Sequence, residues 1–232
     1  SGGTEYFDDY VYDLLDLKSQ YSLQYLVHNY FPPPRQHFML NLASLNDDMY
    51  IRSIRHCKAA ISLCKKIGSP KYGIHAGFLI DFLPEEAGKR IGFKRLNNRE
   101  KALCRFCDAW KILNEYAQDD VKLYIENNVF SQSNKQTYND SNPFLLTDYD
   151  EYLEIKERVD FNILLDLAHL KVSCNSLKQS FNEQVAKIFP LTDYYHISGN
   201  DGLHDQNNDI NMDSFMVNIL ESYDFSLSTV TL

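Results

Sequence analysis

The chain has 232 residues, 44% of them hydrophobic and 24% charged, with only 9 Gly and 7 Pro, a balance that excludes a disordered or low-complexity chain and predicts one folded core. Its net charge of −9 and pI near 5.2 argue against nucleic-acid binding, which needs Lys and Arg to displace counterions, and no apolar run reaches the roughly 20 residues of a bilayer span. Five cysteines, an odd number in a chain large enough to build its own core, argue against a disulfide framework and favour a reducing cytoplasm.

SGGTEYFDDY carries neither a basic nor an apolar leader segment. EYFDDYVYDLLDLKSQY (5–21) reads as a helix, and LQYLVH (23–28) as the first strand. HNYFPPP (28–34) follows, stiff and extended because three successive prolines cannot enter a helix, and it carries Tyr30 and Phe31 either as an aromatic wall or as packing against the next loop. The helix IRSIRHCKAAISLCKKIG (51–68) sets Ile54, Ala59, Ile61 and Leu63 among Arg and Lys, then stops at Gly68 and Pro70. Next come the strand KYGIHAG (71–77), a long loop from Phe78 to Asn98 and a helix over 99–117, in which Cys104 and Cys107 read as two small buried side chains. VKLYIEN (121–127) is a strand followed by the long loop Phe130 to Thr147, and TDYDEYLEIKER (147–158) is a helix capped by Thr147 or Asp148. FNILLDL (161–167) and DYYHIS (193–198) are strands on either side of a helix over NSLKQSFNEQVAKIF (175–189); the helix NMDSFMVNILESY (211–223) and the strand STVTL (228–232) close the sequence.

Apolar strands alternating with amphipathic helices are the signature of parallel βαβ units. The pattern predicts an α/β fold, a (β/α)8 TIM barrel forming a single domain over 1–232, incomplete at the front because six strands are visible and one or two are lacking. Either Ser1–Gly3 end a further strand or the barrel is incomplete there; exposed sheet edges would then favour pairing between chains, a homo-oligomer.

Chemistry is expected where barrel strands end, because those ends share one mouth. His28, His75, Glu126, Asp166 with His169, and His196 close five successive strands. Imidazole and carboxylate together suit Zn, Mn, Fe or Co rather than a thiolate-selected metal or an all-oxygen calcium site, and the expected cofactor is a divalent ion, Zn, Mn, Mg or Co. Singly each has a plain alternative, a hydrogen-bonded histidine or a helix-capping carboxylate; repetition over five strands favours the metal.

YIENN (124–128), LLDLAHLK (164–171), YHISGNDGLHDQNND (195–209), and the pair HNYFPPP and IHAGF (74–78) resemble the strand-end motifs of the xylose isomerase-like TIM-barrel superfamily, over about residue 22 to Leu232. That superfamily includes sugar isomerases and epimerases and also apurinic-site endonucleases. The resemblance implies Glu126, Asp166 and His196 as metal ligands, with a second glutamate expected about one residue beyond Leu232. It gives Glu126 and His169 catalytic roles and adds His28, His75 and Asp205 as further ligand candidates, Asp205 being preferred to His204, with a plain polar loop using neither as the alternative. His28, His75, His169, Lys171, Tyr30, Lys89 and Arg90 are the candidate substrate-binding residues; the basic cluster Lys89, Arg90, Lys94 and Arg95 reads as a lid over an anionic sugar or as a solvated loop.

The implied activity is proton transfer on a sugar or sugar phosphate through an ene-diolate, for which a metal-bound Glu126 is a weak base unless its surroundings raise its pKa. The implied partner is a small carbohydrate, with neither nucleic acid nor membrane. Two alternatives stay open: a zinc-dependent phosphodiesterase acting at abasic sites, opposed by the acidic chain and by Asn207 standing where a second imidazole is expected, and an inactive barrel that serves as a binding protein.

Overall fold

Six short strands form one wholly parallel sheet in the order β1-β2-β3-β4-β5-β6, curled as a half-barrel with the helices outside. The computed structural model describes residues 9–211 and 214–232. In chain order the elements are α1 (Tyr10–Tyr21), β1 (Val27–His28), α2 (Asp47–Ile67), β2 (Lys71–His75), α3 (Arg99–Ala117), β3 (Lys122–Glu126), α4 (Gln132–Thr137), α5 (Tyr149–Lys156), β4 (Asn162–Asp166), α6 (Leu167–Leu177), α7 (Phe181–Ile188), β5 (Tyr194–His196), α8 (Phe215–Ser222) and β6 (Thr229–Thr231). All six expected strands are present in their expected places. The question of a strand ending at Ser1–Gly3 lies outside the described residues, as does the start of the first expected helix.

The two-residue period of a strand separates the two faces of the sheet. Outward-facing Val27, Tyr72, Ile74, Leu123, Ile125, Ile163, Leu165 and Tyr195 pack under the helices in the main core. Inward-facing Tyr124, Leu164 and Tyr194 form a small cluster of their own inside the curl. Two residues further along each of those strands stand Glu126, Asp166 and His196. The alternation that buries an aromatic layer therefore delivers polar side chains to the rim above it.

Helix boundaries follow their caps. The Asn46 side chain accepts from Met49 N at the start of α2, and Gly68 ends it at φ 67, a left-handed turn that glycine adopts without a Cβ penalty. The single helix expected over 175–189 is instead two: Lys178 takes φ 59 after α6, and Ser180 then caps α7. Neither glycine nor proline marks that break, so the helical periodicity of the sequence runs through it. Of the two cysteines expected to be buried, Cys107 is buried and Cys104 is exposed beside Glu100.

The long loops after β2 and β3 pack on each other. Phe78 and Phe144 form an antiparallel bridge, and with Met39, Ile80, Phe82, Ile91, Phe130 and Tyr138 they build a second apolar cluster over the strand ends. Among the described residues no helix is long and apolar enough to cross a membrane.

Candidate metal centre at the strand ends

Glu126, the last residue of β3, is 1% exposed and is the hub of the rim. Its Oε2 lies 2.6 Å from His28 Nε2 and 3.2 Å from His75 Nε2, and its Oε1 lies 2.7 Å from His196 Nδ1. Three imidazoles from β1, β2 and β5 thus converge on one carboxylate of β3. Asp166 Oδ2 stands 4.0 Å from His196 Nδ1 and 3.8 Å from His169 Nε2, and Asp205 Oδ1 is 3.5 Å from the same His169 nitrogen. Two overlapping groups, His28–Glu126–His196 and His75–Glu126–His169, each have ligand atoms within 4.8 Å of one another.

Backbone and side chains outside the cluster fix its members. Asp166 ends β4 and caps α6, its Oδ1 accepting from His169 N at 2.8 Å, which sets His169 in the first turn of the helix and beneath the mouth. His169 Nδ1 donates to Asn127 O at 2.9 Å, fixing the tautomer that leaves Nε2 facing the carboxylates. The Asn127 side chain clamps the end of β4, with Oδ1 accepting from Asp166 N and Nδ2 donating to Asp166 O. Behind His28, the Asn29 carbonyl accepts from His56 Nε2 at 3.2 Å and from Tyr72 OH at 2.9 Å.

Burial and charge pull these groups apart in pKa. Burial alone would raise the Glu126 carboxyl, yet His75, His28 and His196 hold it well below the usual range. Burial raises Asp166, against the pull of His169. It also lowers His75, to about 4. His169 and His196 rise against their burial, His169 because Asp166 and Asp205 face it and His196 because of Glu126. Asp205 is lowered against burial by His169.

The donor set fits a divalent cation. Nitrogen and carboxylate oxygen are the ligand types that Zn, Mn and Co accept, and two groups of them stand close enough together to share an ion. A nearly inaccessible carboxylate ringed by imidazoles is also costly to leave without positive charge nearby.

The candidates that lie outside the strand ends distribute differently. Asp205 reaches His169, whereas His204 is exposed and paired with Asp201 at 2.8 Å. The Tyr30 hydroxyl accepts from Leu40 N at 2.6 Å, and burial pushes its pKa well up. Lys171 lies over the rings of Phe181 and Phe215, 5.0 Å from each centroid. In the basic loop, Arg90 donates to Thr137 Oγ1 at 3.0 Å, Lys94 pairs with Glu86 at 2.8 Å, and Lys89 is exposed. The loop is anchored through Ile91, whose N–H donates to Asn134 Oδ1 at 2.8 Å. Asn127 and His56 are not singled out by the sequence. Asn127 sits inside YIENN, but its role depends on the β3–β4 register.

Against known families, residues 3–225 match the one described as xylose isomerase-like TIM barrel. No curated protein matches the chain. Among solved structures, a D-tagatose 3-epimerase-like protein is similar at 19% identity and TM-score 0.69, over 97% of this chain and 75% of that one. The 3-keto-D-glucoside 4-epimerase YcjR from E. coli is similar at 9% identity and TM-score 0.64, over 96% and 76%. A protein from Thermus thermophilus, soaked with zinc chloride, is similar at 16% identity and TM-score 0.61, over 94% and 74%. At such identities the likeness is one of fold.

Proposed function

Because the chain belongs to the xylose isomerase-like TIM-barrel family, we propose that it is a divalent-metal-dependent isomerase or epimerase that moves a proton at a carbon beside the carbonyl of a sugar or sugar phosphate. The observation that carries this reading is the Glu126 carboxylate, met at 2.6, 3.2 and 2.7 Å by imidazoles from three other strands at the barrel mouth. The names of the similar structures, two of them sugar epimerases or epimerase-like, support the substrate class.

Glu126, Asp166 and His196 would hold the ion, with His28, His75 and Asp205 beside them. When bound, the ion supplies Lewis-acid polarisation of a substrate carbonyl. Glu126 stays ionised, which suits a ligand and makes it a poor proton acceptor, since an effective base has a pKa near the working pH. His169 is held protonated between Asp166 and Asp205, so its Nε2–H donates to substrate oxygen where negative charge develops, in the manner of an oxyanion-hole donor. Asp166, whose carboxyl burial raises against the pull of His169, would share the ion with Glu126 and hold His169 in place through the cap of α6.

The test is hydrogen exchange into ketoses and aldoses in heavy water, with and without added Mn or Zn. Metal-dependent deuterium uptake next to the carbonyl is expected, and Glu126→Gln and His196→Ala should each abolish it and lower metal content. A purified protein that holds no metal and gains none would sink the reading.

One observation favours a second reading. His28 and His75 both contact Glu126, a larger imidazole set than a single-ion sugar site requires, and this supports a multi-zinc phosphodiesterase acting on an abasic site. The net charge of −9 opposes it. Persistent failure to nick an abasic duplex with added zinc removes it.

A further inference from the structure

His28 and Glu126 touch although they do not belong to neighbouring strands: β2 lies between β1 and β3. In the sheet register His28 is paired with Gly73, and Gly73 with Tyr124. The His28 ring therefore crosses over the inward face of β2 at Gly73 to reach Glu126 Oε2 at 2.6 Å. A Cβ placed on Gly73 would lie 2.7 Å from Leu164 Cδ1 and 3.0 Å from His28 Cδ2, both inside the ~3.5–4.0 Å separation of touching carbons. Gly73 is not a glycine of positive φ, so its backbone conformation does not demand the residue. What demands it is the space above it.

We infer that Gly73 is a positioning residue: its bare inward face is the gap through which His28 reaches the metal-binding carboxylate. Of the two side chains that a Cβ would strike, Leu164 is met more closely, through the tip of a side chain buried with Tyr124 and Tyr194, and its movement would leave the contact with the His28 ring in place. The His28 side chain is 33% exposed and has solvent to swing into. An added methyl group thus presses on both sides: Leu164 must shift within the inner core, and the His28 ring must give towards solvent, away from Glu126. The inference rests on the proposed role of His28 and Glu126 at the metal centre, but its first readout does not require metal.

Ring-nitrogen NMR of 15N-histidine-labelled, metal-free protein, with the His28 signal assigned by His28→Gln, reads the contact directly. In Gly73→Ala the His28 nitrogens should move towards those of a solvated imidazole while the His56 and His204 signals stay in place. Zinc titration by calorimetry should then show affinity weakened roughly 10–100-fold, the usual effect of disturbing groups that orient metal ligands. In a His28→Ala background, Gly73→Ala should weaken zinc binding no further. Leu164→Val removes the Cδ1 atom, so Gly73→Ala with Leu164→Val keeps the test open if the single variant does not fold; the displaced His28 signal should persist in it. An unmoved His28 signal overturns the inference. So does zinc affinity restored by Leu164→Val, an additive loss in the His28→Ala background, or a double variant that still does not fold, each of which would assign Gly73 to the inner core alone. Wild-type protein that binds no zinc would retire the metal reading, while the ring-nitrogen result would still decide the place of Gly73.

Discussion

At the scale of the residue, strand-end chemistry was legible because period-two alternation states which side chains face inward, and the parallel fold brings their ends to one rim. Asn127 was not legible, since a side chain that grips the next strand depends on register. Removing it leaves the buried Asp166 N–H without its acceptor, so Asn127→Ala should cost about 1–3 kcal/mol in denaturant unfolding. His169 would keep its tautomer, because it binds the Asn127 backbone carbonyl. His56 carries a pH signature. Burial lowers its pKa against the hydrogen bond to Asn29, so the unfolded chain takes up the proton first. Its contribution to stability is complete above the ~6.5 of a free imidazole and falls as pH drops from there to the folded value. His75, lowered to about 4, acts in the same direction; His169 and His196, both raised, contribute stability below the free value that is lost as pH rises. Comparing urea unfolding of wild type and His56→Gln at pH 7.5 and 5.5 isolates the contribution of His56. The wild type should lose more stability on acidification, by at most about 1.4 kcal/mol per pH unit for one proton.

At the scale of the element, Asp166 serves two structures: it ends β4 and caps α6 through His169 N. The two roles can be separated. Asp166→Asn retains an oxygen for the cap and removes the charge, whereas Asp166→Ala removes both, so the alanine variant should be less stable than the asparagine variant by about 1 kcal/mol, the usual worth of a cap. Metal binding should fall equally in the two, because each lacks the carboxylate; a full retention of metal by Asp166→Asn would remove Asp166 from the ligand set. Elements with clear punctuation, such as α2 between Asn46 and Gly68, were legible. The turn at Lys178 and the six-residue α4 were not: one is a left-handed lysine without glycine or proline beside it, and the other is too short to show a helical period. Both long loops were placed after the right strands, but their joint apolar cluster depends on Phe78 meeting Phe144, a contact between loops that no local pattern encodes.

At the scale of the molecule, the order of strands was legible because βαβ connections leave little choice: successive parallel strands joined by crossover helices lie side by side. The half-barrel gathers its candidate ligands from five strand ends, the first turn of α6 and one loop, with β1, β2, β3 and β5 meeting at Glu126 and β4 supplying Asp166. An ion held there would bind the folded chain and not the unfolded one, since residues from 28 to 205 assemble only in the fold. Linkage then fixes the size of the effect: metal at 100 times its dissociation constant adds about 2.7 kcal/mol, which for a domain of this size is about 5–10 °C in melting temperature. Thermal unfolding with Zn or Mn should rise by that amount and return to its starting value with a chelator. Glu126→Gln should abolish the response, because it removes the one carboxylate common to both groups of candidate ligands. Asp205→Asn, at the loop end of the site, should retain part of it. An equal shift in all three proteins would mean that the ion acts elsewhere on this acidic surface, and the strand ends would then owe their histidines to the burial of Glu126 alone.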